Sequence, residues 1–226
     1  MSVHTDKAYE AELKALRDRL LAMGGLVEQA IASSVRSITE RDSTLAEQIK
    51  TRDREINRME VEIDGMCRRV LALRQPAASD LRFITTALKI VVDLERMGDL
   101  AVNVAERALD LNQAPPLGPM HELSKIADLA EAQLKKALDA FVTGDVEKAE
   151  EVMRSDDLID ALYLKIFNDM LVLMMEDSRN IRRATATMFA AKHLERFGDH
   201  ATNLAEMVVY MVRGQDVRHP KSRAQE

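Results

Sequence analysis

Long apolar runs are missing from this sequence. The best of them, MLVLMM at 170–175, falls far short of the roughly 20 residues a bilayer-spanning helix needs. The opening stretch, MSVHTDKAYEAELKALRDRL, lacks the apolar core of a secretory signal. Cysteine occurs once, as Cys67 on an otherwise apolar seam, so no intrachain disulfide framework exists. Together these absences predict a cytoplasmic protein with no membrane insertion. Excess positive charge is also lacking. The formal net charge is −6, which leaves no overall basic surface for nucleic acid or anionic lipid. Enzyme signatures are absent as well: there is no P-loop, no GxGxxG, no HExxH and no CxxC. Di-iron helical bundles need Glu-x-x-His on two helices, but Gly98 and Gly198 stand three residues after Glu95 and Glu195. No nucleophile–base pair suggests itself, so no catalytic residue is expected.

Proline and glycine are scarce too, 5 and 8 residues of 226, which leaves long uninterrupted helical patterns. With 46% hydrophobic and 31% charged residues, the composition suits a helix-rich globular protein and not a disordered one. The patterning predicts helices at about 6–40, 44–73, 76–111, 120–143, 145–176 and 178–213. Thr44 and Glu47 form a capping-box pattern at the second of these. Pro76 suits a first helical turn, where its missing amide matters little. Gly144 and Asp145 read as a stop followed by an N-cap. The one clear linker, NQAPPLGP, lies near the middle of the chain.

The chain also repeats itself. LERMGDLAVNVAE at 94–106 returns as LERFGDHATNLAE at 194–206, with Leu, Glu, Arg, Gly, Asp, Ala, Asn, Ala and Glu in common. Asp42 and Asp145, Ala46 and Ala149, Asp53 and Asp156, and Ile56 and Ile159 are each 103 residues apart. Leu81 and Ile181, Arg82 and Arg182, and Thr85 and Thr185 are each 100 apart. The expected fold class is therefore all-α: two tandem three-helix bundles related by an internal repeat, at 1–113 and 118–214, followed by a polar tail at 215–226. Ile49, Ile56, Ile63 and Val70 follow a heptad seam along the second helix.

The third helix of each half carries the repeated acids. With Glu95 set at zero and about 100° per residue, Asp99 falls at about +40°, among Ile84, Leu88 and Val102 at about −20°, +20° and −20°. Glu195 and Asp199 repeat the pattern after Met188 and Ala191. Acids on an apolar stripe are costly to bury unless a cation, a basic partner or protons neutralise them. The second helices offer matching pairs: Asp156 and Asp160 in the second half, Asp53 and Asn57 in the first. Facing pairs on adjacent helices would form oxygen-rich pockets suited to hard divalent or trivalent cations. The plainer alternative is a salt-bridge lattice on a solvated face, worth little. Gly98 and Gly198 each cost about 1 kcal/mol relative to alanine in mid-helix, a cost usually accepted where something must approach the backbone. His193 and His200 have no histidine counterparts in the first half and are expected on the surface.

These motifs, with RQPAASDLRFITTALKIVVDLERMGD at 74–99 and DREINRME at 53–60, resemble the PhoU family over roughly 8–213. The resemblance implies a non-enzymatic regulator that damps phosphate uptake and the phosphate-starvation response. It implies contact with the ATPase subunit of the phosphate ABC transporter and with a sensor histidine kinase, and a homodimer. It also implies metal binding, by iron, manganese, magnesium or zinc, at paired E/D-x-x-x-D motifs. Those motifs map onto Asp53, Asn57, Glu95 and Asp99 in the first half and Asp156, Asp160, Glu195 and Asp199 in the second. Asn57 departs from the acidic pattern, so the first site is expected to be the weaker. A metal-dependent carboxylate enzyme or metal store is the rival reading from another class.

Overall fold

The proline-free stretches fold as six helices. The structure, a computed structural model, describes residues 7–118, 120–215 and 217. The helices are α1 (Lys7–Thr39), α2 (Ser43–Leu73), α3 (Ala78–Asn112), α4 (His121–Thr143), α5 (Val146–Glu176) and α6 (Ile181–Arg213). Among the described residues there is no strand, in keeping with the all-α expectation. None of these helices is long and apolar enough to cross a membrane. The expected helix start at Asp6, and all of the polar tail but Gln215 and Val217, lie outside the described residues.

Local chemistry sets the helix ends, in places differently from the pattern. α2 is capped by Asp42, whose carboxylate accepts the Leu45 amide at 2.9 Å, and not by Thr44. Asp42 is extended, which lets its side chain reach over the first turn, while Thr44 is already helical. Gly144 does adopt the left-handed conformation, at φ 66°, and Asp145 accepts the Lys148 amide at 3.1 Å. Arg41 holds the corresponding left-handed position in the first half, at φ 56°. Its guanidinium donates to the Asn112 and Ala114 carbonyls at 2.8 and 2.7 Å, which ties the turn to the end of α3. Pro76 stays outside α3, which opens at Ala78. The expected helix 178–213 begins instead with a single 3₁₀ turn, Ser178–Asn180, because the Asp177 carboxylate accepts the Arg179 amide at 2.9 Å.

α1, α2 and α3 pack on one another, and so do α4, α5 and α6. The halves also join: α3 lies against α6 and α1 against α4, while α2 and α5 touch only their own half. The two bundles therefore share one continuous core, with α2 and α5 on the outside. The heptad seam of α2 is buried as expected, through Ile49, Ile56, Ile63 and Val70 with Cys67 among them. Full burial of such side chains contributes about 1.5–3 kcal/mol each. Small residues bring the halves together. Ala101, Ala105 and Ala108 on α3 and Ala201 and Ala205 on α6 are all fully buried. Gly24 of α1 lies directly under Leu138 of α4, where a Cβ would overlap the leucine.

Candidate functional site

The repeated acids do meet their partners across α2–α3 and α5–α6. In the first half, Asp53 of α2 sits opposite Gly98 of α3, so close that a Cβ on Gly98 would lie 3.2 Å from Asp53 Oδ1. Asn57 donates its Nδ2 to Asp53 Oδ2 at 2.9 Å. Burial pushes the Asp53 carboxyl above the usual aspartate range, and the nearby Asp99 charge adds to it. Glu95 is raised in the same way, by burial and then by the charges of Asp99, Glu60 and Asp53. Glu60 thus joins the group that the repeat pointed to.

The second half repeats the arrangement with a difference. Asp156 is raised by burial and by Asp199 across the helix pair, with Asp160 contributing. Asp199 reaches solvent, yet partial burial raises it as well; Asp160 adds to this and Lys192 opposes it. Lys192 donates to Glu195 Oε1 at 2.6 Å and lies 5.1 Å from the Tyr163 ring centre. The second acid group therefore carries its own ammonium. The first half has Val92 and Glu60 where the second has Lys192 and Tyr163. The asymmetry expected from Asn57 is thereby changed: Glu60 gives the first group a fourth acid to match the four of the second, and the second also holds a lysine.

The helical wheel overstated the burial of these acids. Glu95 and Glu195 are half-buried, but Asp99, Asp199, Asn57 and Asp160 are exposed. About 40° of rotation is enough to move a side chain from the middle of a seam to its edge. The donors suit a hard cation in chemistry, being oxygen alone. Glu195 Oε2 is buried without a hydrogen-bond partner, a donor atom that a cation would satisfy. The carboxylates nevertheless stand at charge–charge separation: among the described residues, no three His, Cys, Asp or Glu side chains gather closely enough to enclose an ion.

The glycines have a packing reason. Ile56 Cδ1 would lie 3.1 Å from a Cβ on Gly98, and Ile159 Cδ1 would lie 2.8 Å from one on Gly198. They let the outer helix of each half settle onto the inner one. Beside Gly198 stands Gln133 of α4, buried, with its Nε2 donating to Ser155 Oγ at 3.0 Å. Extending the offset of 103 into the first helices pairs Gln133 with Ala30 and Ser155 with Arg52. That step would have exposed the contrast from sequence.

The histidines are not surface residues. His200 Nδ1 lies 2.8 Å from Asp93 Oδ1, with the two side chains only 12% and 8% exposed, so the pair bridges α6 and α3 inside the interface between halves. His193 is half-buried, and its Nδ1 has no partner. Burial pulls its pKa down, with Arg107 and Arg196 assisting. The α3–α6 contact that buries both is a pairing between repeats, which periodicity within one helix does not reveal.

Comparison with known proteins agrees with this architecture. A family profile described as the PhoU domain matches residues 20–108 and 123–208. The chain is 45% identical, over 96% of its length and 85% of the relative's, to the phosphate-specific transport system accessory protein PhoU homolog of Pseudomonas putida. It is 36% identical to the phosphate-specific transport system accessory protein PhoU of Escherichia coli strain K12, over 97% of this chain and 91% of that one. The crystal structure of PhoU from Pseudomonas aeruginosa superposes with a TM-score of 0.88 at 43% identity, covering 92% of this chain and all of that one. The phosphate transport system regulatory protein PhoU from Streptococcus pneumoniae gives 0.85 at 31% identity, over 92% of this chain and 99% of that one.

Proposed function

The chain belongs to the PhoU family, and on that premise we propose that it is an accessory protein of phosphate-specific transport. The observation that carries this reading is the similarity along nearly the whole chain, with both repeats matched, to proteins of that name. In this reading it acts in the cytoplasm as a homodimer and works by contact, not by turnover. It restrains phosphate uptake and the starvation response by linking the ATPase subunit of the phosphate ABC transporter to a sensor histidine kinase. Deleting the gene should derepress phosphate-starvation genes in phosphate-rich medium; unchanged expression would count against the reading. A pull-down from native cells in high and low phosphate should recover the transporter ATPase and the kinase.

The acid groups are the residues that would hold a hard cation: Asp53, Asn57, Glu95 and Asp99 in the first half, and Asp156, Asp160, Glu195 and Asp199 in the second. The support is their oxygen-only chemistry, the burial and then the mutual charge that raise Asp53 and Asp156, and the unpartnered Glu195 Oε2. A bound ion would supply the positive charge that such carboxylates need. Elemental analysis of wild type and of the double variant Glu195→Ala/Asp199→Ala tests the second site. Equal metal content in the two proteins would remove it.

A further inference from the structure

The C-terminal half of α5 is apolar on every side. Ile166 is buried, and Leu162 and Met170 pack against the core. The opposite side is just as apolar: Leu164, Leu171, Val172 and Met175 are 57%, 40%, 54% and 88% exposed. A helix that is apolar all round is ordinarily covered all round.

The outward residues keep a register. Ala161, Leu164, Asn168, Leu171 and Met175 follow one another at alternating steps of three and four, the a/d spacing of a coiled-coil seam, and all are exposed. They run along about 21 Å of helix. Asn168 takes the central a position, where a single asparagine fixes the register and number of like helices that pair. Asp160 and Lys165 flank the seam at g and e positions. On two parallel helices in register, the Asp160 carboxylate of one copy meets the Lys165 ammonium of the other. Lys165 already holds Glu122 of α4 and Asp169, and its three donors allow a further acceptor.

The first half lacks this face. The offset of 103 puts Arg58, Val61, Gly65, Arg68, Arg69 and Ala72 of α2 in the places of Ala161, Leu164, Asn168, Leu171, Val172 and Met175. Three arginines and a glycine do not close against a like helix, so the seam is no by-product of the duplicated fold. The chain carries a formal net charge of −6, so two copies repel in general, and an uncharged strip is where they can approach.

We propose that this strip is the contact through which two copies of the chain associate. Their α5 helices lie parallel and in register about a two-fold axis, with Asn168 of one copy facing Asn168 of the other. The inference rests on the homodimer reading above and assigns it a surface.

Sedimentation equilibrium on the full-length protein tests it. Wild type should dimerise, and Leu171→Lys/Met175→Lys should weaken the dimer at least about tenfold with an unchanged far-ultraviolet circular dichroism spectrum. Val61→Lys, on the counterpart face of α2, should leave association within about threefold of wild type. Asn168→Leu should tighten the dimer by about tenfold, because it completes the apolar seam. Leu164→Cys and Met175→Cys, made separately, should each yield a disulfide-linked dimer on mild air oxidation; Cys67 is buried and takes no part. A dimer that Leu171→Lys/Met175→Lys leaves intact, or that either cysteine fails to link, would overturn the α5 contact and spare the homodimer reading. A wild-type protein that stays monomeric at about 100 μM would overturn both.

Discussion

Beside Gly198 the second half is closed by Gln133, hydrogen bonded to Ser155; beside Gly98 the first half has Ala30 and a cavity. On the outer side the contrast reverses. The second acid group holds Lys192 on Glu195, whereas the first has Val92 at that position and no ammonium of its own. Duplication has kept the backbone, the seam pairs Ile56/Ile159 and Ile63/Ile166 and the helix-crossing glycines, and the halves have diverged in the side chains around them. Two sites of one ancestry thus offer different environments: one with Glu195 paired to Lys192 and the space behind it filled, the other without that lysine and open.

The largest test of the comparison asks whether the halves are energetically separate. Met97 and Phe197 occupy the same repeat position and both are fully buried. Truncating either to alanine should cost about 2–5 kcal/mol, and because the core is shared, the whole protein should unfold in one transition. Two resolved transitions in urea, followed by circular dichroism, would show the halves to be independent. Next, Gln133→Ala should cost about 2 kcal/mol by opening the space and removing the hydrogen bond to Ser155 Oγ, while Ala30→Gln should be close to neutral. Equal costs would mean that the two positions are not equivalent.

The difference in charge can be exchanged as well. Lys192→Met should raise the affinity of the second acid group for Mn²⁺ about fivefold, and Asn57→Asp should strengthen the first group by a similar factor. Titration calorimetry decides; no change in either variant would detach these residues from the metal sites. The pH dependence follows from the raised carboxyls of Asp53 and Asp156. In each, the native state holds its proton more tightly than the unfolded chain. In metal-free protein, stability should therefore fall as pH rises from the ordinary aspartate range through the raised native value. Asp156→Asn should reduce that fall and raise the melting temperature at pH 7 more than at pH 4. The smallest effect concerns the glycines. Gly98→Ala should be within about 0.5 kcal/mol of wild type, as gained helix propensity offsets a tight fit, and Gly198→Ala should be worse because Ile159 lies closer.

Much of this was readable in the primary sequence. Ile49, Ile56, Ile63 and Val70 announced the α2 seam through their spacing, and the pairs Gly98/Gly198 and Asp53/Asp156 announced the repeat. The misread features share a cause. Asp42 displaced Thr44 as the cap because cap choice depends on which residue the turn leaves extended. His200 is buried because α6 lies on α3, and Glu60 joins the first acid group because α2 lies on α3. Lys192 was visible as a neighbour of Glu195 at i−3, but whether a lysine turns toward a carboxylate or toward solvent depends on what surrounds it.

Sequence by itself determined the six helices, their division into two repeats and the identity of the acids, since these depend on periodicity and residue type along one chain. Tertiary structure decided the rest: that the bundles fuse through α3 and α6, that Lys192 turns onto Glu195 in one acid group, and that the space beside Gly98 stays open. Those outcomes depend on which helix faces which and on how far each side chain reaches across the gap.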